Sequence, residues 1–157
     1  MKKISACLLA IVMCSGPGSI GYADGWGESG LCNYRRYGLD AEKFFLYITQ
    51  DRPYASWQTW PEKTKMQPGI EPHGAFHTTY VNPVAHRSIA KKEGMEFGSL
   101  IVMENFGPDK RLANITAKIK IKGYNPEGGD WCWFEYTPDG KTLSAGKEES
   151  CLACHEK

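Results

Sequence analysis

The chain has 157 residues, 41% of them hydrophobic and 24% charged, with a formal net charge of +1. That length fits one domain. An aromatic share of 12% beside that charge excludes a disordered acidic or basic tail protein, and a net charge near zero offers no electrostatic grip on nucleic acid.

Residues 1–23 read as a cleavable export signal. Lys2 and Lys3 form its basic start, and Ile4 to Cys14 is an apolar core too short to span a bilayer. Gly21-Tyr22-Ala23 ends in the small residues a signal peptidase accepts, so cleavage is expected before Asp24. Met13 is too large for a lipobox ahead of Cys14. No later apolar run is long enough to cross a membrane. The expectation is a single domain over residues 24–157, periplasmic or otherwise exported, with Cys32, Cys132, Cys151 and Cys154 in an oxidising compartment.

The pattern after the signal is α+β, with most of the β late. Asp24 to Gly38 is rich in Gly and aromatics and reads as irregular. Asp40 is a good N-cap, and Ala41 to Gln50 follows as a helix with Phe44, Phe45, Tyr47 and Ile48 on its apolar face. Residues 51–74 carry Pro53, Pro61, Pro68 and Pro72 and read as loop with one short helical turn. Ala75 to Val81 alternates as a strand, with Phe76, Thr78 and Tyr80 on one side and His77, Thr79 and Val81 on the other. Asn82-Pro83 caps and opens a helix that runs to about Glu93 and ends at Gly94.

Ser99 to Asn105 is the next strand. Ile115 to Lys122 is the cleanest signal: Ile115, Ala117, Ile119 and Ile121 face in, and Thr116, Lys118, Lys120 and Lys122 face out. One polar face predicts an antiparallel sheet wet on one side. Asn125-Pro126 and Gly128-Gly129 mark a hairpin loop, Trp131 to Thr137 a further strand, and Pro138-Asp139-Gly140 a tight turn.

The chemistry lies at the C-terminal end, where residues 151–155 read Cys-Leu-Ala-Cys-His, the attachment signature of c-type haem. Two thiols three apart can add to the two vinyl groups on one porphyrin edge, and His155 beside them can reach the iron. A zinc half-site would need a second close pair, and Cys32 and Cys132 are isolated. A thioredoxin-type centre would need the motif between an early strand and a helix, not two residues from the end. Cys32 and Cys132 are either two buried thiols or a disulfide closing a long loop.

Several stretches, GAFHTTYVN (74–82), GSLIVMEN (98–105), KIKGY (120–124) and NPEGGDWCWFEYTPDG (125–140), followed by Gly146-Lys147 and CLACH, resemble the cytochrome P-460 family, and most closely its cytochrome c′-beta branch. The resemblance implies a mainly antiparallel β-sheet with flanking helices, often in a homodimer. It implies one covalent haem c on Cys151 and Cys154, with His155 as proximal iron ligand and an open distal face for nitric oxide or carbon monoxide. Family members that oxidise hydroxylamine bond a lysine to the haem, in a strand written Ile-Val-Lys-Glu-Asn. This chain has Ile101-Val102-Met103-Glu104-Asn105 there, and Met103 cannot form that bond; Lys91 and Lys92 are the lysines left if the alignment is shifted. Phenylalanines crowd the distal iron face in the c′-beta branch, which makes Phe76 and Phe45 the distal candidates here, beside Met103.

Three functions follow. The favoured one is an exported monohaem cytochrome with an open distal site for a small gaseous or nitrogenous ligand. The second is a hydroxylamine oxidoreductase with a lysine-modified haem. The third is a six-coordinate electron-transfer cytochrome with a redox partner protein, for which His77 or Met103 would supply the sixth ligand. Strand alternation sets His77 against Phe76, so only one of them faces the haem. His73 and His86 read as surface histidines. Asp130 is either an acid or proton relay beside the site or a turn-forming residue. No catalytic residue is assigned.

Overall fold

The computed structural model describes residues 40–155; the expected export signal and Cys32 lie outside them. Helix α1 (Ala41–Leu46) starts where expected, because the Asp40 carboxylate accepts from the Glu42 and Lys43 amides at 3.1 Å each. It widens into a π-helical turn over Tyr47–Asp51 rather than running on as α-helix to Gln50. The strands are β1 (Gln58–Thr59), β2 (Gln67–Pro68), β3 (Phe76–Val81), β4 (Leu100–Phe106), β5 (Leu112–Lys120), β6 (Trp131–Tyr136) and β7 (Thr142–Gly146). Helix α2 (Pro83–Ala90) joins β3 to β4, and helix α3 (Glu149–His155) follows β7.

All seven strands form one antiparallel sheet in the order β1-β3-β4-β5-β6-β7, with β2 sharing the outer edge of β3 beside β1. The α+β expectation holds. Within the loop expected over 51–74, β1 and β2 each contribute a two-residue strand. Helix α2 ends earlier than Gly94: Lys91 closes it and Lys92 takes the left-handed turn at φ 55°. No helix among the described residues is long and apolar enough to cross a membrane.

The alternation of β5 settles which face is core. Ile115, Ala117 and Ile119 are buried with Leu100 and Val102 of β4 and Cys132, Phe134 and Tyr136 of β6. Helix α1 covers that face, with Phe44 stacked on Phe134 at 4.3 Å between ring centres. Cys132 is a free thiol, fully buried, and burial pushes its pKa up to about 11.

Asn82 ties three segments together. Its side-chain oxygen accepts from Ala85 N (2.9 Å) and Leu100 N (3.1 Å), and its amide donates to Gly98 O at 2.9 Å. Asn82→Ala removes a helix cap and leaves two amides and a carbonyl to find new partners. The expected loss is about 2 kcal/mol in chemical denaturation, with Asn82→Asp losing less because it keeps the acceptor. A loss below about 0.5 kcal/mol would show that water satisfies these groups equally well.

Candidate functional site

The opposite face of the sheet floors a cavity of about 520 Å³. Cross-strand register aligns Thr79, Met103, Thr116 and Glu135 in one row and Ile101, Lys118 and Trp133 in the next. All seven line the cavity. The expectation of a solvent-washed face on β5 is therefore corrected: Thr116 and Lys118 are polar because they line a cavity, not because they meet open water. Alternation reports two-sidedness but not what lies on the second side.

Lys118 stands with its ammonium 4.8 Å and 4.7 Å from the ring centres of Trp131 and Trp133. Burial, with Lys120 adding to it, pushes its pKa down to about 8, and Cys151 opposes the shift. A lowered lysine pKa means that the unfolded chain binds more protons between the two values, so stability rises with pH across that window. The denaturation midpoint is expected to climb between pH 8 and 10.5 relative to Lys118→Met, which removes the titration. Parallel pH profiles of the two proteins would show that Lys118 titrates normally.

Helix α3 supplies the second wall. Positions three and four apart share a helix face, so Cys151, Cys154 and His155 point together, and all three line the cavity. The helix seats closely on the turn before β6: a Cβ on Gly128 would stand 2.7 Å from Leu152 Cδ2. The His155 ring lies 4.9 Å from Trp133 and 6.1 Å from His73, centre to centre. Burial first, then Lys118 and His73, lowers the His155 pKa, which favours the neutral imidazole that binds metals.

The third wall comes from the segment before and within β3: Trp60, Lys63, His73 and His77. Burial lowers the pKa of both histidines, with His77 adding to the shift on His73 and Lys63 to that on His77. His77 Nδ1 and Trp133 Nε1 are buried and find no hydrogen-bond partner among the described residues. A polar network closes one end of the floor. Asn105 donates to Asn114 Oδ1 (2.6 Å) and Thr116 Oγ1 (3.2 Å), and Asn114 donates to Glu135 Oε1 at 3.0 Å.

The two phenylalanines named as distal candidates do not line this cavity. Phe76 shares the core side of β3 with Thr78 and Tyr80, and Lys110 lies 5.6 Å over its ring. Phe45 packs on Tyr136 at 5.0 Å and covers the turn at Gly140, where a side chain would collide with its ring. Neither lines the cavity, whereas His77 and Met103 both do. Asp130 lies in the turn before β6 at φ 64°, its carboxylate accepts from Asn125 N at 3.1 Å, and it does not line the cavity. Lys91 and Lys92 close helix α2 and do not line the cavity. His73, read from the sequence as a surface histidine, faces the cavity. The signal that could have found it is its distance of four residues from His77, across a tight turn that brings it back onto the strand.

Two thiols, a neutral imidazole and buried polar atoms lacking partners, gathered around one apolar cavity, are a donor set that fits haem c. On a mainly antiparallel sheet they are what a c-type cytochrome not built of helices throughout would carry. Residues 52–157 match the family model Cytochrome P460, and the chain belongs to the cytochrome P460 family. Membership supports a haem c cytochrome. No curated protein matches the chain.

Proposed function

We propose that the protein is an exported haem c cytochrome whose iron binds a small diatomic or nitrogenous ligand, as in the cytochrome c′-beta branch. Residues 1–23 carry the export. Cys151 and Cys154 hold the porphyrin by thioether bonds, and His155 gives the proximal nitrogen. The observation that carries the reading is a single cavity of about 520 Å³ lined both by these three side chains and by a separate wall of His73, His77 and Met103.

Bound haem supplies an iron that takes small ligands and exchanges electrons. The chain's own residues do the rest. Helix α3 holds the attachment thiols and the imidazole on one face. Trp133 backs the imidazole, which fixes its ring. His77 lines the cavity, and its Nδ1 is buried with no partner among the described residues. Phe45 and Phe76 do not line the cavity, so His77 and Met103 are its distal candidates in place of the phenylalanine cap the resemblance implied. Met103 lines the cavity where the resemblance puts the ring-bonded lysine, and a thioether cannot form that bond.

One observation favours hydroxylamine oxidation as a second reading. Lys118 is a cavity lysine whose pKa burial lowers to about 8, which raises the share of neutral amine that a nucleophile needs. Carbon monoxide added to the ferrous holoprotein separates the readings. The expected result is a complete shift of the Soret band. A low-spin spectrum indifferent to carbon monoxide overturns ligand binding in favour of an electron carrier. A strongly red-shifted Soret band, with a Lys118 peptide joined to haem in a digest, moves the function to hydroxylamine oxidation.

A further inference from the structure

We propose that electrons enter this protein along two lysine–tryptophan rungs that run from its surface to His155, and that the outer rung docks a one-electron donor protein with an acidic contact face. This rests on the reading of His155 as the iron ligand. Register sets Lys118 of β5 opposite Trp133 of β6, and Lys120 opposite Trp131. Residues two apart on a strand share a face, so both rungs stand on the cavity side of the sheet, while Cys132 between the tryptophans turns into the core. The inner rung, Lys118 and Trp133, lines the cavity, and the outer rung, Lys120 and Trp131, does not. The outer rung is half-buried and meets Phe97, an exposed ring with the Lys120 ammonium 5.9 Å from its centre.

Three rings follow one another through this strip. Trp131 and Trp133 lie 6.4 Å apart, and Trp133 and His155 4.9 Å, centre to centre. Both distances fall in the range of about 4.5–7 Å at which aromatic rings pack on each other. Electron tunnelling weakens steeply at every gap between atoms that are not bonded, so rings in contact carry it further than water or a loose side chain does. The lysines add two effects. The Lys118 ammonium stands 4.8 Å from Trp131 and 4.7 Å from Trp133, and that of Lys120 stands 5.2 Å from Trp131. A cation held on the face of an indole makes that indole harder to oxidise. The tryptophans therefore bridge without losing an electron themselves: the partner gives one electron to the ferric iron, the partner is oxidised, the iron is reduced, and no bond or proton changes place. The second effect is on docking. Neither lysine has a carboxylate within ion-pairing distance among the described residues, and Glu96, next to Phe97 in the chain, is paired with Arg87 at 3.1 Å. The positive charge of the strip is left for a partner, and an acidic face complements it.

The test is the rate at which a reduced acidic flavodoxin, a donor too large to enter the cavity, reduces the ferric holoprotein in stopped flow. Trp131→Leu keeps apolar bulk and removes the outer ring, Trp131→Phe keeps a ring, and Lys120→Glu reverses the outer charge. Lys110→Glu, on the turn between β4 and β5, is the charge control outside the strip. Reduction is expected to be about tenfold slower in Trp131→Leu and in Lys120→Glu, to recover in part in Trp131→Phe, and to keep the wild-type rate in Lys110→Glu. The Lys120→Glu difference should close at about 1 M salt, where the Debye length is about 3 Å, while the Trp131→Leu difference persists. Lumiflavin semiquinone, a neutral donor small enough to enter the cavity, should reduce all the proteins alike. A wild-type rate with flavodoxin in either Trp131→Leu or Lys120→Glu overturns the proposal. An equal slowing with lumiflavin also overturns it, because the variants then act on the haem site itself. In both cases the haem reading stands, whereas a wild type that carries no haem on Cys151 and Cys154 removes that reading and the proposal with it.

Discussion

In the double variant Cys151→Ser, Cys154→Ser, acid–acetone is expected to extract all the haem, where the wild type keeps it on the polypeptide. A serine hydroxyl does not add to a vinyl group as a thiol does, so both covalent links are lost together. The two thiols lie on one face of helix α3 and line the cavity with His155, so the haem edge they would hold is fixed relative to the sheet. Each single variant keeps one thioether and should retain haem through extraction, although less securely. Haem that stays with the double variant after extraction would place the attachment elsewhere on the chain. The variant separates attachment from ligation, because His155 remains to bind iron non-covalently and the spectrum of any retained haem reports on it.

The second large effect concerns the face that bears no chemistry. Phe44→Ala is expected to cost about 3–5 kcal/mol in urea denaturation, the range for emptying a buried aromatic site. Phe44 is fully buried, stacks on Phe134 at 4.3 Å and anchors helix α1 over the core face of the sheet. Domains of this kind have a total stability of about 5–15 kcal/mol, so the variant loses a large share of it. Phe45→Ala, which removes a half-buried ring from the same helix, should lose clearly less. Equal losses at the two positions would mean that the helix docks with a different face than the one described.

These two expectations rest on different amounts of sequence information. The attachment motif is local: five consecutive residues whose spacing is dictated by the porphyrin edge can be read without knowing where they sit. The strand at β5 is local too, since burial on one face forces a period of two on the side chains. The N-caps at Asp40 and Asn82 were legible for the same reason, because a capping side chain bonds to amides two or three residues away. Strand β7 and helix α3 were less legible. The strand has five residues with no buried member, and the helix contains the motif itself, so neither shows a periodic apolar pattern.

The site shows where local reasoning stops. Phe76 and His77 were known to point to opposite sides of one strand, but only the sheet decides which side is core and which is cavity. The core fell on the Phe76 side because Tyr80, Val102 and Phe134 pack there under helix α1. Lys118 looked like a solvated face of β5, because alternation cannot distinguish water from a cavity capped by a distant helix. His73 looked like a loop histidine, because its nearness to His155 joins residues 82 positions apart.

The sequence by itself therefore determined the motif that signals haem attachment, the α+β class and the inward face of the central strand, because each depends on residues within a few positions of one another. The tertiary structure alone decided which face of the sheet holds the cavity, that His73 lies beside His155, and that neither Phe45 nor Phe76 lines that cavity. Those depend on chain segments meeting across the sheet, and no short-range pattern records such meetings.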